Sequence, residues 1–382
     1  MKIIVSKQAL EVCVKNLCRV INTKNALPIL ADILFDVNEQ DKVATLTASD
    51  GEVRLTYTIG LKECFGSGRF CVVGQTLADM LSGISEQPVT IIATTESDMK
   101  FTLNYEDGEA YCPIENADEY PEAIGPDENE SNMVTFNSAT VCNAIKRSAW
   151  ATTKDELRIV MTGIYFDFGM TFYNIVASDG HVLIKNKIQF DEENDMAGSF
   201  IMPKKVVKIL PELLTTADDD IYILYDDRKA AIEYENMRLQ FLLIEGKYPN
   251  YDSIIPKASA HEVKCNRRGL LEAIKAVAPF APDSSNMVTM TFEKDKLEVC
   301  GNDYDFSEGA KKSFYIDGYE GEPMTIGVKA SKMINTISKL STDDVLLKLN
   351  DPSRAIVVEP VDERQEKTEE ITCIVMPMIV GE

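Results

Sequence analysis

The chain is 382 residues long, 45% hydrophobic and 26% charged, an ordinary balance for a globular protein with several cores, and its length predicts two to four domains. No apolar run approaches the roughly 18 to 20 residues of a membrane span, and the opening MKIIVSKQALEVCVKN is too poor in apolar residues for a signal-peptide core, so a cytoplasmic protein without membrane contact is expected. Nine cysteines without paired spacing and only two histidines argue against a disulfide framework, a metal site or any cofactor, and the net charge of −23, taken alone, argues against nucleic acid as partner.

In chain order, residues 7–22 place Leu10, Val14, Leu17 and Ile21 on one face at helical spacing. Strands are predicted at 29–37 and 43–50, a second helix at 76–84, and a hairpin from 89–95 to 100–105. Residues 115–132, acidic, with two prolines and no apolar period, read as a linker. The order then repeats: a helix at 138–150, strands from 161, a helix at 203–214, three more strands, and a proline-bounded connection KYPNYDSIIP at 247–256. A third round gives a helix at 266–277, a strand pair at 287–303, a helix at 328–340, and strands that end in ITCIVMPMIV; the charged stretch 362–370 reads as a mobile loop.

The repetition is also explicit in the residues. LTASDGEVRL at 46–55, IVASDGHVL at 175–183 and LEVCGNDYDF at 297–306 each run an apolar alternation into a turn, with Ser49, Ser178 and Asn302 separated by 129 and 124 residues. Phe35 precedes Ser49 as Phe166 precedes Ser178. Three similar domains follow, 1–125, 126–256 and 257–382, each an α+β unit with two helices packed on antiparallel sheet.

Charge is distributed unevenly among the helices. Five of the six carry net positive charge, through residues such as Lys15, Arg19, Lys146, Arg147, Lys204, Lys205, Arg268 and Lys332. Any one such helix is ordinarily a solvated face. Five on equivalent elements describe a surface that meets a polyanion on one side and repels it elsewhere, through phosphate contacts that are independent of sequence and sensitive to salt.

The series SKQALEVCVKNL, NALPIL, LTASDGEVRL, IVASDGHVL, KYPNYDSIIP and a terminal VMPM resembles, over the whole chain, the β sliding clamp of bacterial DNA polymerase III. The resemblance implies a head-to-tail homodimeric ring around double-stranded DNA. Such a ring has no catalytic residues and tethers the polymerase III alpha subunit, the clamp loader and other clamp-binding-motif proteins for processive synthesis. Twelve helices about 10 Å apart would give a circumference of about 120 Å, wide enough for duplex. The family's partner-peptide pocket falls on Met161, Ser178, Gly180, His181, Val182, Leu183, Pro249, Ile254, Ile374, Met376, Pro377 and Met378, where methionines suit varied anchors. Candidate DNA contacts are Lys24 and Arg158, at basic family positions, with Arg19, Arg147, Lys154, Lys204 and Lys205. Val182 and Ser253 stand where the family often has Arg, Ile379-Val380 replaces its Arg-Leu end, and Gln75 replaces an Arg, so the pocket reads as more apolar. Two alternatives from other classes remain: a hydrolase using Asp179 and His181, which with Ser178 lie too close in sequence to assemble a triad, and a β-rich peptide-binding scaffold that does not bind DNA.

Overall fold

Each segment with helical apolar spacing is a helix in the computed structural model, which describes residues 1–22, 24–95, 98–106, 108–190, 192, 194–214, 218–361 and 368–380. The helices are α1 (Lys7–Cys18), α2 (Gly74–Ser82), α3 (Ser138–Ser148), α4 (Lys204–Leu213), α5 (Arg267–Val277) and α6 (Ala330–Ser338). Ser6 starts α1 by accepting a hydrogen bond from the Ala9 N–H, and Asn266 starts α5 by accepting from Gly269. Leu10, Val14 and Leu17 are buried as their spacing requires, whereas Ile21 lies beyond the helix end.

The chain separates into two compact units, Met1–Thr140 with Lys208–Leu243, and Val141–Val207 with Ile244–Glu382. The first unit holds a five-stranded sheet, in the order Glu63–Phe65, Lys2–Ser6, Pro88–Thr94, Lys100–Tyr105 and Gly108–Pro113. Its second sheet has eight strands: Asn132–Asn137, Asp220–Tyr225, Lys229–Tyr234, Met237–Leu242, Val53–Gly60, Val43–Ser49, Asp32–Asn38 and Gly68–Val73. The second unit holds an eight-stranded sheet, Gly198–Met202, Ile164–Phe168, Phe172–Ser178, Val182–Gln189, Glu369–Val375, Ile356–Pro360, Asp344–Leu349 and His261–Asn266. A four-stranded sheet follows the order Glu308–Tyr315, Lys296–Asp303, Met287–Glu293 and Met324–Lys329. Every pairing is antiparallel. Strands of successive repeats thus share a sheet, as where Leu55 pairs with Leu239 and Leu183 with Ile374.

The internal repeat extends to packing. Phe35 pairs with Phe70 and stacks on it at 5.0 Å, and Phe166 pairs with Phe200 and stacks at 4.9 Å. Each such ring contributes about 1.5 to 3 kcal/mol by its burial. The turns repeat as well: Ser49 Oγ donates to the Val53 carbonyl and Asp50 Oδ1 accepts from the Glu52 and Val53 N–H groups. Ser178 and Asp179 make the same bonds around Val182 and His181. The third copy is displaced, since Asn302 still pairs with Gly309 within the sheet and Asp303 caps the turn instead.

One expectation changes. Residues 115–132 are not simply a linker: Ala117 and Tyr120 are buried with Ile29, Leu30, Leu34 and Cys71, and Arg54 donates to the Pro121 carbonyl at 2.8 Å. A single aromatic in an acidic stretch supplied the anchor that apolar periodicity does not register. Most of the loop expected at 362–370 lies outside the described residues. All nine cysteines are free thiols, and no cluster that could hold a metal exists among the described residues. None of the described helices is long and apolar enough to cross a membrane.

Candidate functional site

The second Ser-Asp-Gly turn ends the strand Phe172–Ser178 and starts the strand Val182–Gln189. Gly180 has φ +87°, a conformation favoured by glycine, and an added Cβ would meet Arg158 Nη1 at 2.9 Å. Around this turn Met161, Val176, Leu183, Ile201, Tyr248, Tyr251 and Ile374 form one apolar cluster, with Ile244 and Ile255 packed against it. Leu183 stands opposite both Ser178 and Ile374 in the antiparallel register. Tyr165 stacks on Tyr248 at 4.7 Å and meets Tyr251 edge-on at 6.1 Å, and the Tyr251 hydroxyl donates to Asp167.

The last strand stops at Val375, as Pro377 requires. Met376 N–H donates to the His181 carbonyl at 2.9 Å, and beyond Pro377 the Met378 N–H donates to Gly327 at 2.7 Å. The chain therefore leaves one sheet and bridges to the next, with Met376 exposed and Met378 half-buried. His181 is exposed at the turn, and Pro249 and Ile254 are exposed on the connection that supplies the two tyrosines.

The turn is held from two sides. Asp179 pairs with Lys332 of α6, whose ammonium also lies 5.7 Å from the Trp150 ring centroid. Burial raises the Asp179 pKa, but Lys332 and the His181 and Val182 N–H groups outweigh it, and the carboxyl ends below its ordinary value. Arg158 bonds Asp155 Oδ2, the Thr153 hydroxyl and the Asp179 carbonyl.

The structure thus brings together Met161, Ser178, Gly180, His181, Leu183, Ile374 and Met376. Three of the expected residues stand in other surroundings. Val182 is buried, and because neighbouring residues of a strand face opposite sides, it lies on the face away from Leu183. Arg147 is ion-paired with Glu369 at 2.9 Å and its side chain is only 11% exposed, so it is an internal link rather than a phosphate contact. Arg158 clips the turn through three acceptors while its side chain stays 43% exposed. Among the other cations, Arg19 pairs with Glu212, Lys24, Lys154 and Lys204 are exposed, and Lys205 is half-buried.

Sequence reasoning missed Val176, Tyr248 and Tyr251, and it read Lys332 as a surface cation and not as the partner of Asp179. Val176 was recoverable, because it precedes Ser178 by two on the same strand face. The tyrosines flank Pro249, so their neighbourhood was flagged though their role was not. Lys332 lies 153 residues from Asp179 and gave no local signal.

Comparison with known proteins covers the chain almost end to end. Residues 1–123 match the DNA polymerase III beta subunit N-terminal domain, residues 135–250 its central domain, and residues 252–379 its C-terminal domain. The chain is 22% identical to the beta sliding clamp of Synechococcus elongatus over 392 residues, covering 99% of each. It is 23% identical to that of Chlamydia muridarum over 348 residues, covering 91% of this chain and 92% of the other. Among solved structures, a sliding clamp from Pseudomonas aeruginosa bound to griselimycin superposes with TM-score 0.91 at 20% identity, and the Thermotoga maritima beta subunit with TM-score 0.89 at 21%, each over 100% of both chains.

Proposed function

The chain belongs to the DNA polymerase III beta subunit family, the β sliding clamps, and on that premise we propose which of its own residues do the work. Its function is that of a non-catalytic processivity clamp, a dimer that binds duplex DNA and tethers the polymerase. In our reading the partner-peptide pocket is the cluster of Met161, Leu183 and Ile374, walled by Gly180, His181, Pro249 and Ile254 and closed by Met376, Pro377 and Met378. The observation that supports it is the exposed apolar rim of Met376, Pro249 and Ile254 over the buried pair Leu183 and Ile374, with Met376 tied to the His181 carbonyl. Two or three apolar anchors, each gaining about 1.5 to 3 kcal/mol on burial, give micromolar affinity.

For DNA, we assign Lys24, Lys154, Lys204 and Lys205, with Arg19 and Arg158, as phosphate contacts. Domain boundaries at 125 and 256, and residence in the cytoplasm, complete the proposal. Processive primer extension tests the DNA assignment: changing the four lysines to glutamate should shorten products several-fold while leaving unfolding unchanged, since exposed charges seldom matter to stability by more than about 0.5 kcal/mol. Full processivity in the quadruple variant would sink the assignment.

The dimer contact we propose is between two free sheet edges. Strand Gly108–Pro113, with Glu109 and the nearby Glu106, ends the five-stranded sheet; strand Glu308–Tyr315, with Lys311 and Lys312, ends the four-stranded one. An exposed edge is a template for another strand, and the opposite charges favour joining the first edge of one copy to the second edge of its partner. The exposed aromatics Tyr304 and Phe306 beside the latter edge supply apolar area for such a contact.

A further inference from the structure

The sheet face that carries Leu183 continues past the pocket. Along Val182–Gln189 the same side is taken by Lys185, Lys187 and Gln189, and Thr372 and Glu370 of the last strand stand opposite the two lysines. A cleft lined by Lys185, Lys187, Asp252, Ile255, Glu370 and Thr372 begins beside Ile254. A second cleft shares Lys187 and Glu370 and runs on to Phe172 and Gln189. The two make one groove leading away from the apolar cluster.

The groove's cations rest against aromatic rings and are less exposed, 16% for Lys185 and 37% for Lys187, than their counter-ions. Lys185 lies 5.3 Å from the Tyr251 ring centroid and Lys187 lies 5.1 Å from that of Phe172. The Lys185 side chain is 16% exposed, while its partner Asp252, at 2.6 Å, is 61% exposed; Glu370, 3.4 Å from Lys187, is 60% exposed. Solvated pairs of this kind contribute little, so another carboxylate can replace Asp252 or Glu370 while the rings keep the ammonium groups in place. Lys257 adds a third cation to the same cleft, leaving it with a positive surplus in a chain of net charge −23.

We infer that this groove extends the partner pocket and receives acidic residues that flank the apolar anchors of a bound peptide. The inference rests on the pocket reading above. Lys185 and Lys187 stand about 7 Å apart along their strand, the spacing of alternate residues in an extended chain. The preferred flank therefore carries carboxylates at every second position, and the advantage it gives weakens with salt.

Fluorescence anisotropy with three synthetic peptides tests this on the full-length protein. All share two leucines and a phenylalanine as anchors; one carries Asp-Ser-Asp before them, one carries it after them, and one has serines throughout. One acidic peptide should bind about fivefold tighter than the serine peptide at low salt, a difference of about 1 kcal/mol. In the double variant Lys185→Gln/Lys187→Gln that ratio should fall to near one, and in Asp252→Asn/Glu370→Gln it should rise, so loss of folding cannot mimic both results. Equal binding of all three peptides by the unmodified protein, or a ratio that survives loss of the lysines, would overturn the groove alone. Failure of every peptide to bind would overturn the pocket reading and the groove with it.

Discussion

Two largely buried aspartates, one in each compact unit, titrate in opposite directions because of their surroundings. Asp32 opens a strand with its Oδ2 lacking a hydrogen-bond partner; burial, helped by Glu115, pushes its pKa up to about 6. The folded state therefore holds a proton that the unfolded chain releases near pH 4, and stability falls as pH rises through about 6. Asp32→Asn should stabilise the protein by roughly 1 to 3 kcal/mol at pH 8 and by much less at pH 5, read from urea midpoints. Asp179 is the reverse case, held below its usual value by Lys332 and two backbone N–H groups despite the opposing effect of burial. Its contribution is present above the unfolded carboxylate value and is lost as pH falls through the folded one. Lys332→Gln should therefore destabilise at pH 7 and cost progressively less in acid. A pH-independent difference would show that Lys332 acts through packing against Trp150 instead.

Among the elements, the C-terminal segment separates pocket from scaffold most cleanly. Truncation after Val375 leaves the strand Glu369–Val375 whole but removes Met376, Pro377 and Met378. Calorimetric titration with an anchor peptide should show affinity falling at least about tenfold, since losing one buried methionine contact is worth more than about 1.4 kcal/mol, with the dimer retained. Unchanged affinity would place the pocket elsewhere. This segment was legible because Pro377 bars a regular strand wherever it falls. The helices were legible through Leu10, Val14 and Leu17, and the repeat through Ser49 and Ser178, because spacing and turn chemistry are local. What the sequence hid is pairing at a distance. Arg147 is indistinguishable from a free surface cation until Glu369, 222 residues away, arrives beside it. The orientation of Val182 is hidden for a different reason: a run of neighbouring residues reads as one surface, although strand alternation divides it between two faces.

At the scale of the whole molecule, the proposed dimer contact turns on the charges of the two edges. Lys311→Glu with Lys312→Glu should weaken the dimer about tenfold or more in sedimentation equilibrium, and Glu109→Lys in the same chain should recover part of the loss; an unchanged dimer would rule out these edges as the contact. The strand beside the pocket carries a mechanical consequence. Glu369–Val375 is laddered to Val182–Gln189 on one side and to Ile356–Pro360 on the other. A pull along that strand on a peptide held in the proposed pocket would load the hydrogen bonds of both ladders together instead of peeling them open one by one. The proposed anchorage point would thus resist shear, as a moving tether demands.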